Sequence, residues 1–381
     1  MPVYKVDGVK KDGLQKYNVR VNYISDGGVP KQLTRTAYGL EAAKDLERRL
    51  TDEQKKTGEA PAKKITVQQL FEEYLNVKQY EVKETTVDKY KQNFEYYILP
   101  TFKEIRIDRL NAKMLQDWKL SMEQKGLSLN TKKHAYGDFR AMLNYAVRME
   151  YIPKNPITKI GTFKDKLTIK KDMDFYTAQE FQQFISAAKK VAKKKETKDK
   201  DLSEWDFFVF FNIAFYTGLR KGEIHALKWS DINGSYLSVK RSITQRLRGV
   251  GDVEAPPKNQ SSIRTLQMPL PLIKALNEHK KRQEKLKNFS DDFRICGGGR
   301  CLRDATVQRR NELYSALSEI KTIRIHDYRH SHVSVLANEG INIQEVARRL
   351  GHSRIEMTWN TYSHLYPREE ERAVDILNSI V

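Results

Sequence analysis

Four short fragments in the C-terminal half carry side chains of the kind that handle a phosphate. The first, Thr217-Gly-Leu-Arg-Lys-Gly-Glu223, places Arg220 just after a helix-ending glycine and at the start of the next helix. A helix start offers free backbone N–H groups, and an arginine there adds a forked donor pair that suits an anionic oxygen. Pairing of Arg220 with Glu223 on the surface is the other reading of this fragment. The second, Ile325-His-Asp-Tyr-Arg-His-Ser331, sets His326 and Arg329 three residues apart, on one face of a helix. The third, Leu350-Gly-His352, ends a helix, and the fourth, Thr361-Tyr-Ser-His364, puts Tyr362 ten residues beyond His352. Each fragment alone fits a structural role, since a histidine on a helix more often packs than reacts. In this order and spacing the four together form a far more specific signal than any one of them. An unperturbed phenol ionises near pH 10, so phenolate at neutral pH costs about 4 kcal/mol unless cations or a base assist. Two arginines and two histidines are there to assist. No cluster of Asp and Glu with magnesium-site character accompanies them, so neither a metal nor another cofactor is expected.

Buried helices must hold these side chains. Glu204 to Tyr216 is apolar almost all round, which predicts a buried helix ending at Thr217-Gly218 with glycine as a left-handed cap. Upstream, 65–160 shows repeated helical periodicity. Val67, Leu70, Phe71, Tyr74 and Leu75 form one stripe, Met114, Leu115 and Trp118 a second, and Phe139, Met142, Leu143 and Ala146 a third. This predicts a bundle of about four helices. Its helix starts present Thr85 and Lys89, and Asn130, Thr131, Lys132 and Lys133, which suit phosphate and base contacts. At the N-terminus Tyr17, Val19, Val21 and Tyr23 alternate with Asn18, Arg20 and Asn22, Asp26-Gly-Gly28 turns the chain, and a second strand covers Lys31 to Ala37 before a helix from Glu41 to about Leu50. Its open strand face is expected to be basic, with Arg20, Lys31 and Arg35 able to enter a DNA groove; a solvated sheet is the plainer alternative. The fold class is therefore multidomain, mostly α with small β-sheets. Expected boundaries are 1–55 for the sheet-plus-helix module, 56–64 for a polar linker, 65–160 for the bundle, 161–172 for a second linker and 173–381 for the largest unit.

The 381 residues include 69 Lys and Arg against 49 Asp and Glu, a formal charge of +20. That is the footprint of a protein that tracks a polyanion, and double-stranded DNA is the leading partner. The run Lys189 to Lys200 reads as a solvated helix end and loop. Cys296 and Cys301 read as reduced thiols in a glycine-rich loop, with no further cysteine to complete a zinc set. No apolar run approaches 18 residues and no charged-then-apolar leader follows Met1, so a cytoplasmic, nucleoid-associated bacterial protein is expected, with no membrane partner.

At these motifs the sequence resembles the tyrosine recombinase (phage-type integrase) family, most of all the integrases of conjugative transposons and temperate phages. The resemblance covers essentially everything after the first linker, and less specifically the N-terminal module. The family's Arg, hairpin Lys, His-x-x-Arg, His and Tyr fall on Arg220, Lys258, His326, Arg329, His352 and Tyr362. It implies an arm-site-binding module, a helical core-binding (SAM-like) domain and a catalytic domain, α-rich with a small antiparallel sheet. It implies a 3′-phosphotyrosine intermediate, a free 5′ hydroxyl and a Holliday junction. Arg220 and Arg329 would hold the scissile phosphate, with His352 as a third donor. His326 would take the Tyr362 proton, Lys258 would protonate the leaving oxygen, and Glu223 and Asp327 would orient the arginine and histidine. A homotetramer on DNA is implied, with the helix Arg368 to Val381 docking on a neighbour, alongside an excisionase and a host DNA-bending protein. The rival readings are a Xer-like resolvase and a DNA-binding regulator that has lost catalysis.

Overall fold

The structure is a computed structural model and describes residues 3–11, 13–24, 30–56, 65–164, 173–245, 251–255, 262–366, 374–375 and 377–380. The chain divides into two compact units, Met1–Thr168 and Ile169–Val381.

The first unit opens with an antiparallel sheet of β1 (Val3–Lys11), β2 (Leu14–Ile24) and β3 (Pro30–Tyr38), in that order, followed by α1 (Leu40–Lys56). Val19, Val21, Ala43 and Leu50 form a small core between sheet and helix. Two of these strands are the predicted ones; β1 is additional. Its apolar alternation breaks at Gly8 (φ +74°), where the pairing with β2 slips register, so the pattern did not read as a strand. The register also corrects the expected basic face. Arg35 pairs with Val19 and Thr34 with Arg20, and directly paired residues share a face. Arg20 therefore lies with Asn18, Asn22, Thr34 and Thr36 on a face more polar than basic, while Arg35 belongs to the face that also carries Val19. Arg20 lies 5.0 Å from the Tyr4 ring centre. The side chain of Lys31 lies outside the described residues.

A helical bundle follows: α2 (Val67–Glu81), α3 (Glu84–Asn93), a π-helical turn at Phe94–Ile98, α4 (Leu99–Phe102), α5 (Ala112–Gln124) and α6 (Leu129–Arg148). Thr66 opens α2 with a reciprocal capping box to Gln69, and Asn111 and Ser128 cap α5 and α6 through their side chains. The predicted stripes meet in one core in which Phe71 stacks on Phe94 at 4.1 Å and Trp118 meets Phe139 edge-on at 5.8 Å. The core extends to Phe163. Just before it, Lys119 donates to the carbonyls of Ile160, Gly161 and Thr162 at 3.0–3.1 Å, tying down the chain as it leaves the bundle.

The second unit contains α7 (Ala178–Asp199), α8 (Ser203–Thr217), α9 (Lys221–Ala226), β4 (Ile232–Asn233), β5 (Tyr236–Val239), β6 (Ser242–Thr244), β7 (Val253–Ala255), β8 (Arg264–Gln267), α10 (Leu270–Gln283), α11 (Asp304–Leu317), α12 (Asp327–Asn338), α13 (Ile343–Leu350) and α14 (Ile355–Tyr362). Strands β4, β5 and β8 form one antiparallel sheet in that order, and β6 pairs with β7. Helix α8 is the centre of the core. Phe207, Phe208, Phe210, Phe211 and Phe215 are all buried, each contributing about 1.5–3 kcal/mol of apolar burial, and Phe215 stacks on Phe181 of α7 at 3.8 Å. The lysine run is the C-terminal half of α7, a helix end as expected but without the expected loop before Asp199; Lys200 is the left-handed cap. Both cysteines are free, and Cys296 is buried in the core beneath the loop. No described helix is long and apolar enough to cross a membrane.

Gly218 ends α8 at φ +63°, its N–H bonded to the carbonyl of Ala214. A Cβ there would lie 2.8 Å from Cδ2 of His332 and 3.1 Å from Leu350. Gly218→Ala combines left-handed strain with overpacking, so denaturant unfolding should report a loss of about 2–4 kcal/mol. A variant as stable as the parent would mean that this turn is not close-packed.

Candidate active site

The glycine turns at two helix ends converge on one guanidinium. Arg329, in the first turn of α12, is 2% exposed. It donates to the carbonyl of Gly218 at 2.9 Å, just past the end of α8, and to that of Leu350 at 2.8 Å, at the end of α13. Helix C-termini carry unsatisfied carbonyls and partial negative charge, which suits a cation. It also hydrogen-bonds the Tyr362 side chain and reaches Nε2 of His352, at 2.8 Å. That contact makes Nε2 the acceptor and leaves Nδ1–H to donate to Oγ1 of Thr358 at 2.8 Å. His352 is therefore engaged as an acceptor here, where the sequence predicted a donor. Burial and then the Arg329 charge lower its pKa to about 4. Among the described residues no carboxylate lies within ion-pair distance of Arg329. Burial, and then Arg220, lower its own pKa to about 9, so it remains a cation at neutral pH.

Arg220 caps α9, its side chain partly exposed, and its N–H and Nη1 both reach Glu223, at 2.9 and 3.1 Å. Glu223 is buried and shared: Arg264 of β8 binds the same carboxylate at 3.0 and 3.3 Å, and Nε of Arg264 donates to the carbonyl of Arg349 at 2.7 Å. Burial alone would raise the Glu223 pKa, but Arg264 and Arg220 bring it below the usual carboxylate value. Glu223 thus binds Arg220 and Arg264 together. Arg264 was not predicted; its signal was an arginine at an inward position of the strand Arg264-Thr-Leu-Gln267, whose burial alternates. Arg264 and His352 are among the residues that line an open cleft of about 450 Å³.

Tyr362, the last residue of α14, is 2% exposed. Its hydroxyl lies 2.7 Å from Nδ1 of His330. The imidazole at the phenol is thus that of His330, where His326 was expected, and Arg329 also hydrogen-bonds the phenol. His326 caps α12 from outside its first turn, and one turn on, His330 projects from the same face towards α14. The two imidazoles meet edge-on at 5.2 Å. Burial raises the Tyr362 pKa, and the Arg329 and Arg220 charges oppose the rise. Asp327 is taken mainly by Arg324, through Nε at 2.9 Å and Nη2 at 2.8 Å, lies 3.7 Å from Nε2 of His330, and acts on His326 through its charge. Lys258 lies outside the described residues.

Of the bundle's candidate contacts, Lys89, Asn130 and Lys133 are exposed and Thr85 is half-buried. Thr131 is drawn into the Ser128 cap of α6. Lys132 is paired with Glu123 and lies 5.7 Å from the Phe163 ring centre, so its charge is already satisfied internally.

The model of the phage integrase family matches residues 174–369, more than half of the chain, and that of the phage integrase N-terminal SAM-like domain matches 66–122. The chain belongs to the phage integrase family. Members of this family are tyrosine site-specific recombinases, which cleave and rejoin DNA strands. This phage integrase family member is 28% identical to the ICEBs1 integrase of Bacillus subtilis over 77% of its length and 78% of the relative's. It is 30% identical to a XerC-like tyrosine recombinase of Caldanaerobacter subterraneus, with 78% of each chain covered. In fold it is similar to the Tn1549 transposon integrase, solved with circular-intermediate DNA (TM-score 0.63, 22% identity, 83% of this chain and 100% of that one). It is also similar to lambda integrase, solved as a dimer on a core site (TM-score 0.57, 16% identity, 94% of each chain). The relatives place it with integrases of the conjugative-transposon and phage type, the Xer-like type being the lesser alternative.

The imidazoles around the site give a pH signature. Burial lowers His330 and His352 to about 4 and His332, behind Gly218, to about 3, whereas an unfolded histidine ionises near 6.5. Between those values the unfolded chain binds more protons, so the stability these groups contribute is present above pH 6.5 and is lost as pH falls towards 4. The thermal midpoint should drop steadily from pH 6.5 to 4.5, with net proton uptake on unfolding in calorimetry. A flat midpoint across that range would contradict neutral burial of these rings.

Proposed function

We propose that this integrase inserts and excises a mobile element by attack of Tyr362 on a DNA phosphodiester. The observation that carries this reading is the buried Arg329, a cation whose described partners are neutral, beside a buried phenol. A buried charge without a counter-charge costs several kcal/mol, and a phosphate seated there would supply the missing anion. Arg220, half open to solvent, would hold a second non-bridging oxygen; donors of this kind are each worth roughly 2.7–4 kcal/mol in a transition state. His352, hydrogen-bonded to Arg329, would shape the same pocket, and His326 would line it from the cap of α12. Lys258 would protonate the leaving 5′ oxygen. The products are a 3′-phosphotyrosine and a free 5′ hydroxyl, which attacks the partner strand through a Holliday junction. The bond energy stays in the phosphotyrosine and no metal is needed.

The working assembly in this reading is a homotetramer on double-stranded DNA, as lambda integrase is in a solved complex with a Holliday junction. The C-terminal segment would dock on a neighbouring protomer. Val374, Leu377 and Ile380 are exposed, and the second unit carries an apolar groove of about 600 Å³ lined by Tyr216, Leu270, Ile273, Val335 and Leu336. Residues 1–55 would bind distal arm sites, with Arg20 at the centre of the open strand face. The 65–160 bundle would grip the core site through Lys89, Asn130 and Lys133, and 173–381 would carry the chemistry. An excisionase and a DNA-bending protein would set direction, in a cytoplasmic protein associated with the nucleoid. The 30% identity to a XerC-like recombinase supports a resolvase as the second reading.

Incubation with nicked suicide duplexes bearing element ends, in chelator, should give a covalent protein–DNA band on a denaturing gel. The band should vanish with Tyr362→Phe and fall about 10²- to 10³-fold with Arg329→Ala. Tight binding without any covalent band would instead support a silent regulator. Deleting residues 1–63 should abolish binding to distal sites while sparing core-site cleavage; unchanged distal binding and recombination would remove the arm-site assignment and favour the resolvase.

A further inference from the structure

We infer that His330, hydrogen-bonded to the Tyr362 hydroxyl, is the general base that takes the nucleophile's proton. This rests on the strand-cleavage reading above and assigns a step in it. Three geometric facts support it. Nδ1 of His330 is 2.7 Å from Oη of Tyr362, within range for direct proton transfer. Nε2 lies 3.7 Å from Oδ1 of Asp327, beyond hydrogen-bond reach, so the carboxylate acts on the ring as a nearby negative charge that favours imidazolium as it forms. The ring is about nine-tenths buried, in the first turns of α12, so it cannot swing away from the phenol. Phenol and imidazole thus form a nucleophile–base pair within hydrogen-bond reach, the pairing that activates hydroxyl nucleophiles on unrelated folds.

Burial first, then His326, lower the His330 pKa to about 4, with Arg324 and Arg329 adding to the effect and Asp327 opposing it. The ring is neutral at physiological pH and competent to accept. A phosphodiester seated against Arg329 would offset part of the positive charge that disfavours imidazolium, tying base strength to substrate binding. As the Oη–phosphorus bond forms, the phenolic O–H bond breaks and its proton moves to Nδ1, giving imidazolium beside Asp327. The phosphorus–O5′ bond breaks, and the leaving oxygen takes its own proton from Lys258. In rejoining, the 5′ hydroxyl attacks, its proton returns to Lys258, and the imidazolium protonates the departing phenolate. His330 should therefore affect cleavage and rejoining alike.

The test is single-turnover cleavage of a nicked suicide duplex by full-length wild type, His330→Ala and His330→Gln, with DNA binding and thermal midpoint measured in parallel. Glutamine can accept the phenol's hydrogen bond but cannot take its proton. Both variants should bind DNA normally and cleave about 10²- to 10⁴-fold more slowly, the range for loss of a general base. Added imidazole should raise the His330→Ala rate selectively, and rejoining should slow by a similar factor. A wild-type rate in His330→Gln would reduce the residue to a hydrogen-bonding support and overturn the proposal. So would a His330→Ala rate within threefold of the parent. Failure of the wild type to form any covalent product would overturn the strand-cleavage reading itself, and this assignment with it.

Discussion

The structure around the candidate site depends on holding one buried cation without a carboxylate. Arg329 is enclosed where α8 and α13 end, and the carbonyls of Gly218 and Leu350 are aimed at it because each helix closes with a left-handed glycine, at φ +63° and +67°. Dipolar carbonyls stabilise a guanidinium without neutralising it. The positive potential stays available at a buried position, where a charge acts more strongly than in water. A carboxylate at the same place would have made an ion pair and closed the pocket to phosphate.

The neighbouring residues follow from that constraint. Imidazoles close to Arg329 are held neutral by burial, so His352 can accept a hydrogen bond from it and His330 one from Tyr362. The acidic charge is placed to one side, on Glu223, which binds Arg220 and Arg264 together and joins the start of α9 to strand β8. Breaking a buried pair of this kind by removing one partner typically costs about 3–5 kcal/mol, so Glu223 both orients Arg220 and secures the strand.

Burial decided which sequence signals could be read. The stripes of the helical bundle and the all-apolar α8 were legible because a core face repeats with the helical period and needs no partner to declare it. Strand β1 was not, because a bulge at Gly8 breaks its alternation. The polarity of the open strand face was misjudged because pairing register assigns Arg20 and Arg35 to opposite faces, and no single strand carries that information.

The sequence by itself marked the candidates: Arg220, Arg329, His352 and Tyr362, with glycines at the two helix ends, stand in an order and spacing that together are far more specific than any one fragment. It also determined the charge, the existence of a helical bundle and the buried helix before Gly218. Tertiary structure alone decided who touches whom. His330 rather than His326 meets the phenol because α14 packs against the face of α12 one turn beyond its cap. Arg264 joins the site because β8 lies within reach of Glu223, 41 residues earlier in the chain. Residue type and spacing constrain chemistry along the chain, but hydrogen-bond distances are set by how helices and strands pack, which is a property of the whole core.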